Sequence, residues 1–381
     1  MTDPTIKESQ PLAENTAYKA HEVSHITCII NQDFSKKVLN HLCNMGLEAY
    51  METGRALREF IKPKGLGVTS GAKLRSNQSS IIRVNVPKKL AENVIESIMA
   101  EVDLSLPGRG SIFCQDIVEY SPLEPSFSEV HQYSFTKKAD HVHFLTDLSY
   151  VTCVLSGHES GERLAKAALD LGVCVPLITY GAGNDIRDQL GLIRITISPD
   201  KELVHLIIPQ QDSESIIKLL VEESQLNRPG RGYLYQTPVS IGFLDTRLKV
   251  GKQGHAASID QIIAAIDTLK QSTDWRKRLD AEVPHGSDKT FLPMDNCKIS
   301  IVSREDSVEE LRKAWVNAGA IGAVTSQIFR MNPDDRGEML SGFVTSEMSV
   351  PGNIKGEVIR NLLDVCERLQ THENRIQVTV G

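Results

Sequence analysis

Residues 26–30 read ITCII and residues 151–155 read VTCVL, and each run leads into a helical pattern that ends on glycine: 35–46 (SKKVLNHLCNMG) and 160–172 (SGERLAKAALDLG). Farther along, residues 107–110 spell PGRG, and residues 229–232 spell it again. The offsets agree to within a few residues, 125 between Cys28 and Cys153 and 122 between Pro107 and Pro229. Three landmarks in the same order mark an internal repeat, and recognising a repeat decides the fold.

Working outward, the second copy parses as βαββαβ. An apolar strand over 150–155 is followed by a helix with Leu164, Ala167, Ala168 and Leu171 at helical spacing, stopped by Gly172. Strand two covers 173–180 and a turn-rich excursion 181–190. Residues 192–198 and 202–208 then form one bent strand or a hairpin around Pro199. A helix over 213–223 puts Ile216, Ile217, Leu220 and Val221 on one face, and PGRG leads into strand four at 233–239. The first copy has strands at 25–31, 47–53, 81–86 and 111–120, helices at 35–45 and 89–102, and a longer polar excursion over 54–80. A fainter third copy has strands at 298–302, 323–329, 342–350 and 375–380, with helices at 307–317 and 354–369 and an excursion over 330–341. No PGRG precedes its last strand, and an unrelated α+β domain is the alternative there.

The expected fold is therefore α+β, built from repeated ferredoxin-like βαββαβ units, two clear copies and a third degenerate one. The expected organisation is a tail (1–22), unit 1 (23–120), a linker (121–147), unit 2 (148–250), a second linker (251–295) and unit 3 (296–381). In the second linker Ser258 and Gln261 read as a capping box, and Ile259, Ile262, Ile263, Ile266 and Leu269 share a helix face. The plain reading of that helix is a packing brace.

Bulk properties narrow the function. The 381 residues suffice for two or three domains with large cores. A formal charge of −7 argues against general nucleic-acid or anionic-membrane binding. The seven cysteines are scattered with no CxxC pair, which fits buried thiols in a reducing, cytoplasmic setting. The first twenty residues lack an apolar stretch, and no later run reaches membrane-spanning length, so neither a signal peptide nor membrane insertion is expected. P-loop, HExxH and GxSxG patterns are absent, and His141 and His143 lack a third nearby ligand, so neither an enzyme nor a metal site is expected.

The doubled turn is the candidate site. Glycines at 108, 110, 230 and 232 let the backbone adopt positive φ, so that its N–H groups can form a nest for an anion. Arg109 and Arg231 stand between those glycines, where a guanidinium can pair bidentately with phosphate oxygens. The competing reading is a tight helix-to-strand turn with an exposed arginine. A second set lies at the base of the excursions: Gly54, Arg55 and Arg58 in copy one, and Gly181, Gly183 and Arg187 in copy two. These either close over a nucleotide or are solvated loop residues.

On these residues the chain resembles the PII signalling family, the nitrogen regulatory P-II proteins. The likeness rests on the βαββαβ order, the long excursion after strand two, and a Gly-x-Gly turn before an apolar strand. The family pattern there is Gly-Asp-Gly-Lys followed by Ile-Phe. Here Gly108-Arg109-Gly110 precedes Ser111-Ile112-Phe113, and Gly230-Arg231-Gly232 precedes Tyr233-Leu234-Tyr235. The family's lysine is thus replaced by Ser111 and Tyr233; its arginine pair beyond strand four has no clear counterpart, and Arg247 and Lys249 are candidate substitutes in copy two. The excursions hold no tyrosine of the kind some members have uridylylated. The resemblance implies a trimer of ferredoxin-like units with ATP or ADP as regulatory ligand in clefts between neighbours. It also implies that the large excursion engages a protein target: an enzyme, a regulator or a membrane transporter. Tandem units leave two assemblies open, a homo-oligomer of chains or a pseudo-trimer within one chain. The alternative function is a structural or assembly protein that uses the units for oligomerisation; an enzyme on the same fold is a third.

Overall fold

The computed structural model describes residues 18–61, 72–121, 133–135, 144–157, 159–172, 174–184, 200–228, 230–245, 248–251, 296–335, 338–369 and 375–380. The first segment comprises β1 (Lys19–Asn31), α1 (Gln32–Asn44), β2 (Ala49–Ile61), β3 (Ala72–Val86), α2 (Ala91–Val102) and β4 (Gly110–Ser121). The second comprises β5 (Leu148–Ser156), α3 (Ser160–Leu171), β6 (Leu177–Asn184), β7 (Asp200–Pro209), α4 (Ser213–Ser224) and β8 (Gly232–Val239). Two short strands follow it, β9 (Ile241–Phe243) and β10 (Lys249–Gly251). The third comprises β11 (Asn296–Arg304), α5 (Val308–Asn317), β12 (Ile321–Met331), β13 (Met339–Pro351), α6 (Lys355–Leu369) and β14 (Arg375–Val380). The protein is α+β.

Within each segment the strands lie in the order second, third, first, fourth: β2-β3-β1-β4, β6-β7-β5-β8 and β12-β13-β11-β14. Neighbours in these sets run antiparallel. Alternation along the first strands explains the layering, because successive side chains point to opposite faces. Ile26, Cys28 and Ile30 of β1 pack with Val38, Leu42, Val94 and Ile98 of its two helices. Val151, Cys153 and Leu155 of β5 pack in the same way against Leu164, Ala168 and Leu220. In the third segment Ile299 and Ile301 meet Leu311, Trp315, Ile359 and Leu362. Burial pushes the Cys28 thiol up to about 12, so it behaves as an inert apolar group.

Several boundaries depart from the sequence reading. The excursion over 54–80 is largely a two-stranded ribbon, paired from Ala49↔Val84 to Ile61↔Ala72. It lacks an apolar-polar alternation, so ladder hydrogen bonds and not core burial make it strand. The second strand of segment two begins at Leu177 rather than 173. The N-terminal strand begins at Lys19, inside the expected tail, and Tyr18 is buried in the apolar cluster of the third segment. Residues 1–17, the strand expected over 192–198, the brace helix over 258–269, His141 and His143 lie outside the described residues.

The segments are stitched together by strand pairing. β4 pairs with β14 (Tyr120↔Ile376) and with β9 (Phe113↔Gly242). The three second strands meet one another: β2 with β12 (Met51↔Phe329), β2 with β6 (Arg55↔Ile178) and β12 with β6 (Val324↔Gly183). No described helix is long and apolar enough to cross a membrane.

The sheet faces turned away from the helices meet in a polar interior. Thr27, Thr152 and Ser300 occupy matching places on the first strands, and their cross-strand partners are Arg83, His205 and Glu347. Arg83 Nη1 lies 2.8 Å from Glu52 Oε2, and Lys298 Nζ lies 2.7 Å from Glu347 Oε1. Tyr235 donates its hydroxyl to Glu347 at 2.5 Å, and Gln115 Nε2 donates to Thr237 Oγ1 at 2.8 Å. His205 Nε2 is 2.9 Å from Thr179 Oγ1, and its Nδ1 is 2.8 Å from the Tyr150 hydroxyl.

His205 is 2% exposed, and burial, with the nearby Arg83 charge, lowers its pKa to about 3. The unfolded chain therefore binds a proton that the folded one refuses between about pH 6.5 and pH 3. Stability must fall as pH drops through that window, by up to about 1.4 kcal/mol per pH unit from this residue alone. His205→Gln should flatten that part of the melting temperature against pH, read by circular dichroism; an unchanged slope would mean that His205 is not buried neutral.

Candidate functional site

The two PGRG turns share one backbone geometry. Gly108 and Gly230 have φ of 89° and 81°, and Gly110 and Gly232 have φ of 149° and 133°. A Cβ on Gly110 would stand 2.0 Å from the Ile29 carbonyl oxygen, and one on Gly232 would stand 1.9 Å from that of Val154. The second glycine therefore lets the fourth strand start hard against the end of the first. Each turn also closes on itself, with Arg109 N donating to Leu106 O at 3.2 Å and Arg231 N donating to Arg228 O at 3.3 Å.

Their surroundings differ. At the first turn Gly108 N donates to Asp245 Oδ1 at 2.9 Å, and Asp245 Oδ2 lies 2.5 Å from Arg58 Nη2. Arg109 is committed elsewhere: its guanidinium lies over the Phe34 ring, 4.3 Å from the centroid, and Nη1 donates to Val102 O at 3.4 Å. At the second turn Gly230 N makes no hydrogen bond among the described residues, and the Arg231 side chain is exposed without a partner among them. Ser156 N donates to Arg231 O at 2.9 Å, which ties this turn to the end of β5.

Beside that end lies a cleft of about 540 Å³ where all three segments converge. Glu52 and Thr53 come from β2, Tyr180 and Gly181 from β6, Lys201 and Glu202 from β7, and Thr325 and Gln327 from β12. Much of its charge is already engaged. Glu52 holds Arg83, and Lys201 Nζ donates to Ser156 Oγ at 2.9 Å. Glu202 Oε2 accepts from Gly161 N at 2.6 Å, so a carboxylate fills the N-terminus of α3.

The excursion-base residues separate into distinct places. A Cβ on Gly54 would stand 2.6 Å from Ile178 O, and one on Gly181 would stand 2.7 Å from Val324 Cγ1, so both glycines let second strands approach one another. Gly183 lies against the Lys201 side chain. Arg55 bridges segments, its Nη1 3.2 Å from Glu162 Oε2 of α3. Arg58 joins the first turn through Asp245, Gly181 lines the cleft, and Arg187 lies outside the described residues, as does Arg247. The sequence reading did not bring Asp245 to Gly108, nor did it place Lys201 and Glu202 in a cleft. Asp245 sits in a plain GFLD stretch with no local signal of a role; only its position after β9 carries it to the turn.

The chain was compared with known proteins at three levels. No family model, no curated protein and no solved structure matches it.

Because each second glycine fills a steric need, Gly232→Ala should lower stability by about 3 kcal/mol. Gly342→Ala, at φ 83° but with nothing within 4 Å of the new Cβ, should cost about 1 kcal/mol. Urea unfolding of both variants checks this; equal costs would contradict the close approach at the turn.

Proposed function

We propose that the chain is a non-catalytic regulatory protein of PII type. Its three βαββαβ segments are ferredoxin-like units closed into a pseudo-trimer within one chain. The second glycine turn reads a small oxyanion such as the phosphates of an adenine nucleotide. The mutual pairing of β2, β6 and β12 supports closure within the chain, since each segment's second strand contributes to the same junction. The β2–β3 ribbon, the counterpart of the long excursion, is the arm offered to a protein target.

One observation carries the ligand assignment. The first turn already holds an oxyanion, the Asp245 carboxylate on Gly108 N, while the matching amide at Gly230 and the Arg231 guanidinium have no acceptor among the described residues. Equivalent backbone geometry with no acceptor among the described residues is what an exchangeable anion requires. The adjoining cleft, with Thr53, Thr325 and Gln327 in its walls, suits the uncharged hydrogen-bonding part of such a ligand.

A second reading, an assembly protein in which PGRG is only a turn, is favoured by Arg109, which packs on Phe34 and donates to Val102 O. Calorimetric titration with ATP and ADP separates the two. On the sensing reading the protein binds one of them, Arg231→Ala weakens binding roughly tenfold to a hundredfold through loss of a charge-assisted contact, and Arg109→Ala leaves affinity nearly unchanged. No heat with either nucleotide, or an Arg231→Ala effect on stability alone, would leave the assembly reading standing.

A further inference from the structure

The first turn carries an arrangement that the second does not. Both oxygens of the Asp245 carboxylate are used, Oδ1 by Gly108 N at 2.9 Å and Oδ2 by Arg58 Nη2 at 2.5 Å. The Asp245 amide in turn donates to Ser111 Oγ at 2.9 Å. Asp245 is 4% exposed and Arg58 is 7% exposed, so the ion pair is closed to solvent, with Gly108 and Ser111 half-buried at its edge. Its members come from the loop before β4 and the start of β4 itself, from the ribbon strand β2, and from the stretch joining β9 to β10.

A backbone amide from a glycine turn and a buried guanidinium form the donor set of an oxyanion site. Here the acceptor is the chain's own carboxylate, from a residue 137 positions after Gly108. We infer that the pocket between Gly108 and Arg58 is an oxyanion site and that Asp245 is its resident intramolecular ligand. Withdrawing that side chain leaves donors that accept a phosphate-type anion. The tether explains how a carboxylate holds a site against dissolved anions. β9 is paired to β4, and Glu59 N donates to Leu248 O at 3.0 Å, so the stretch carrying Asp245 is pinned on both sides and its effective concentration at the turn is high. The same bonds make Asp245 a clasp that joins the ribbon, the turn and the second segment. A bound anion at this place would be linked to how firmly the ribbon is held.

This assignment does not depend on whether the second turn binds anything. The test is therefore made in an Arg231→Ala background, with inorganic phosphate as the probe. Asp245→Ala in that background should be less stable than its parent and should regain stability with phosphate. Its melting temperature should rise by a few degrees as the site saturates, with sulfate competing. The parent carrying Asp245 should not respond, and adding Arg58→Met to the Asp245→Ala chain should abolish the response. A folded Asp245→Ala chain indifferent to phosphate would overturn the inference, as would a response equal to the parent's or one that survives Arg58→Met. Should Asp245→Ala fail to fold in plain buffer, phosphate must restore its helical circular dichroism; failure to do so would equally overturn it.

Discussion

Arg83, Glu52, Lys298 and Glu347 meet where the three segments turn their helix-free faces toward one another, and each of these charges has a partner of opposite sign. Burying such ions is costly, several kcal/mol for each, unless the pairing is nearly complete. The Glu347 pKa shows the balance: burial works against its charge, yet Lys298 and Arg83 hold it down at about 2. Register makes the arrangement specific. The places opposite Thr27, Thr152 and Ser300 hold a cation, a neutral imidazole and an anion. Three copies of any one charged residue at those places would repel. A single chain can place three different residues there.

The same asymmetry extends outward to the glycine turns. Gly110 and Gly232 answer one steric demand in two segments, the close start of the fourth strand beside the first. What stands before each turn differs because, among the described residues, the stretch after β8 reaches the first turn and not the second. There Asp245 and Arg58 close the space, whereas Arg231 stays exposed. On the proposed reading, the segments have diverged in duty while keeping one backbone plan, with one turn locked from within and the other left to a ligand.

Much of the architecture was legible from residue patterns. Helical spacing placed α1 to α6 to within a few residues, because an amphipathic face with capping or glycine stops is encoded locally. The last strand, 375–380, fell where its alternation put it. The ribbon from 54 to 80 was read as an excursion because it has no buried face to write a period of two into its sequence. Gly54 and Gly181 let second strands approach one another, a role their sequence does not spell out, since a glycine signal reports close approach without naming what approaches.

Residue order alone determined the βαββαβ succession, the repeated turn and the apolar faces that bind helices to sheets, because each depends on neighbours a few positions apart. Only the tertiary structure decided that Asp245 would reach Gly108, that Lys298 would meet Glu347 across 49 positions, and that Arg83 and Glu347 would share one interior. These are pairings between distant parts of the chain. Electrostatic complementarity at close range leaves no period, spacing or motif in either partner's own stretch of sequence, so it exists only once the sheets have come together.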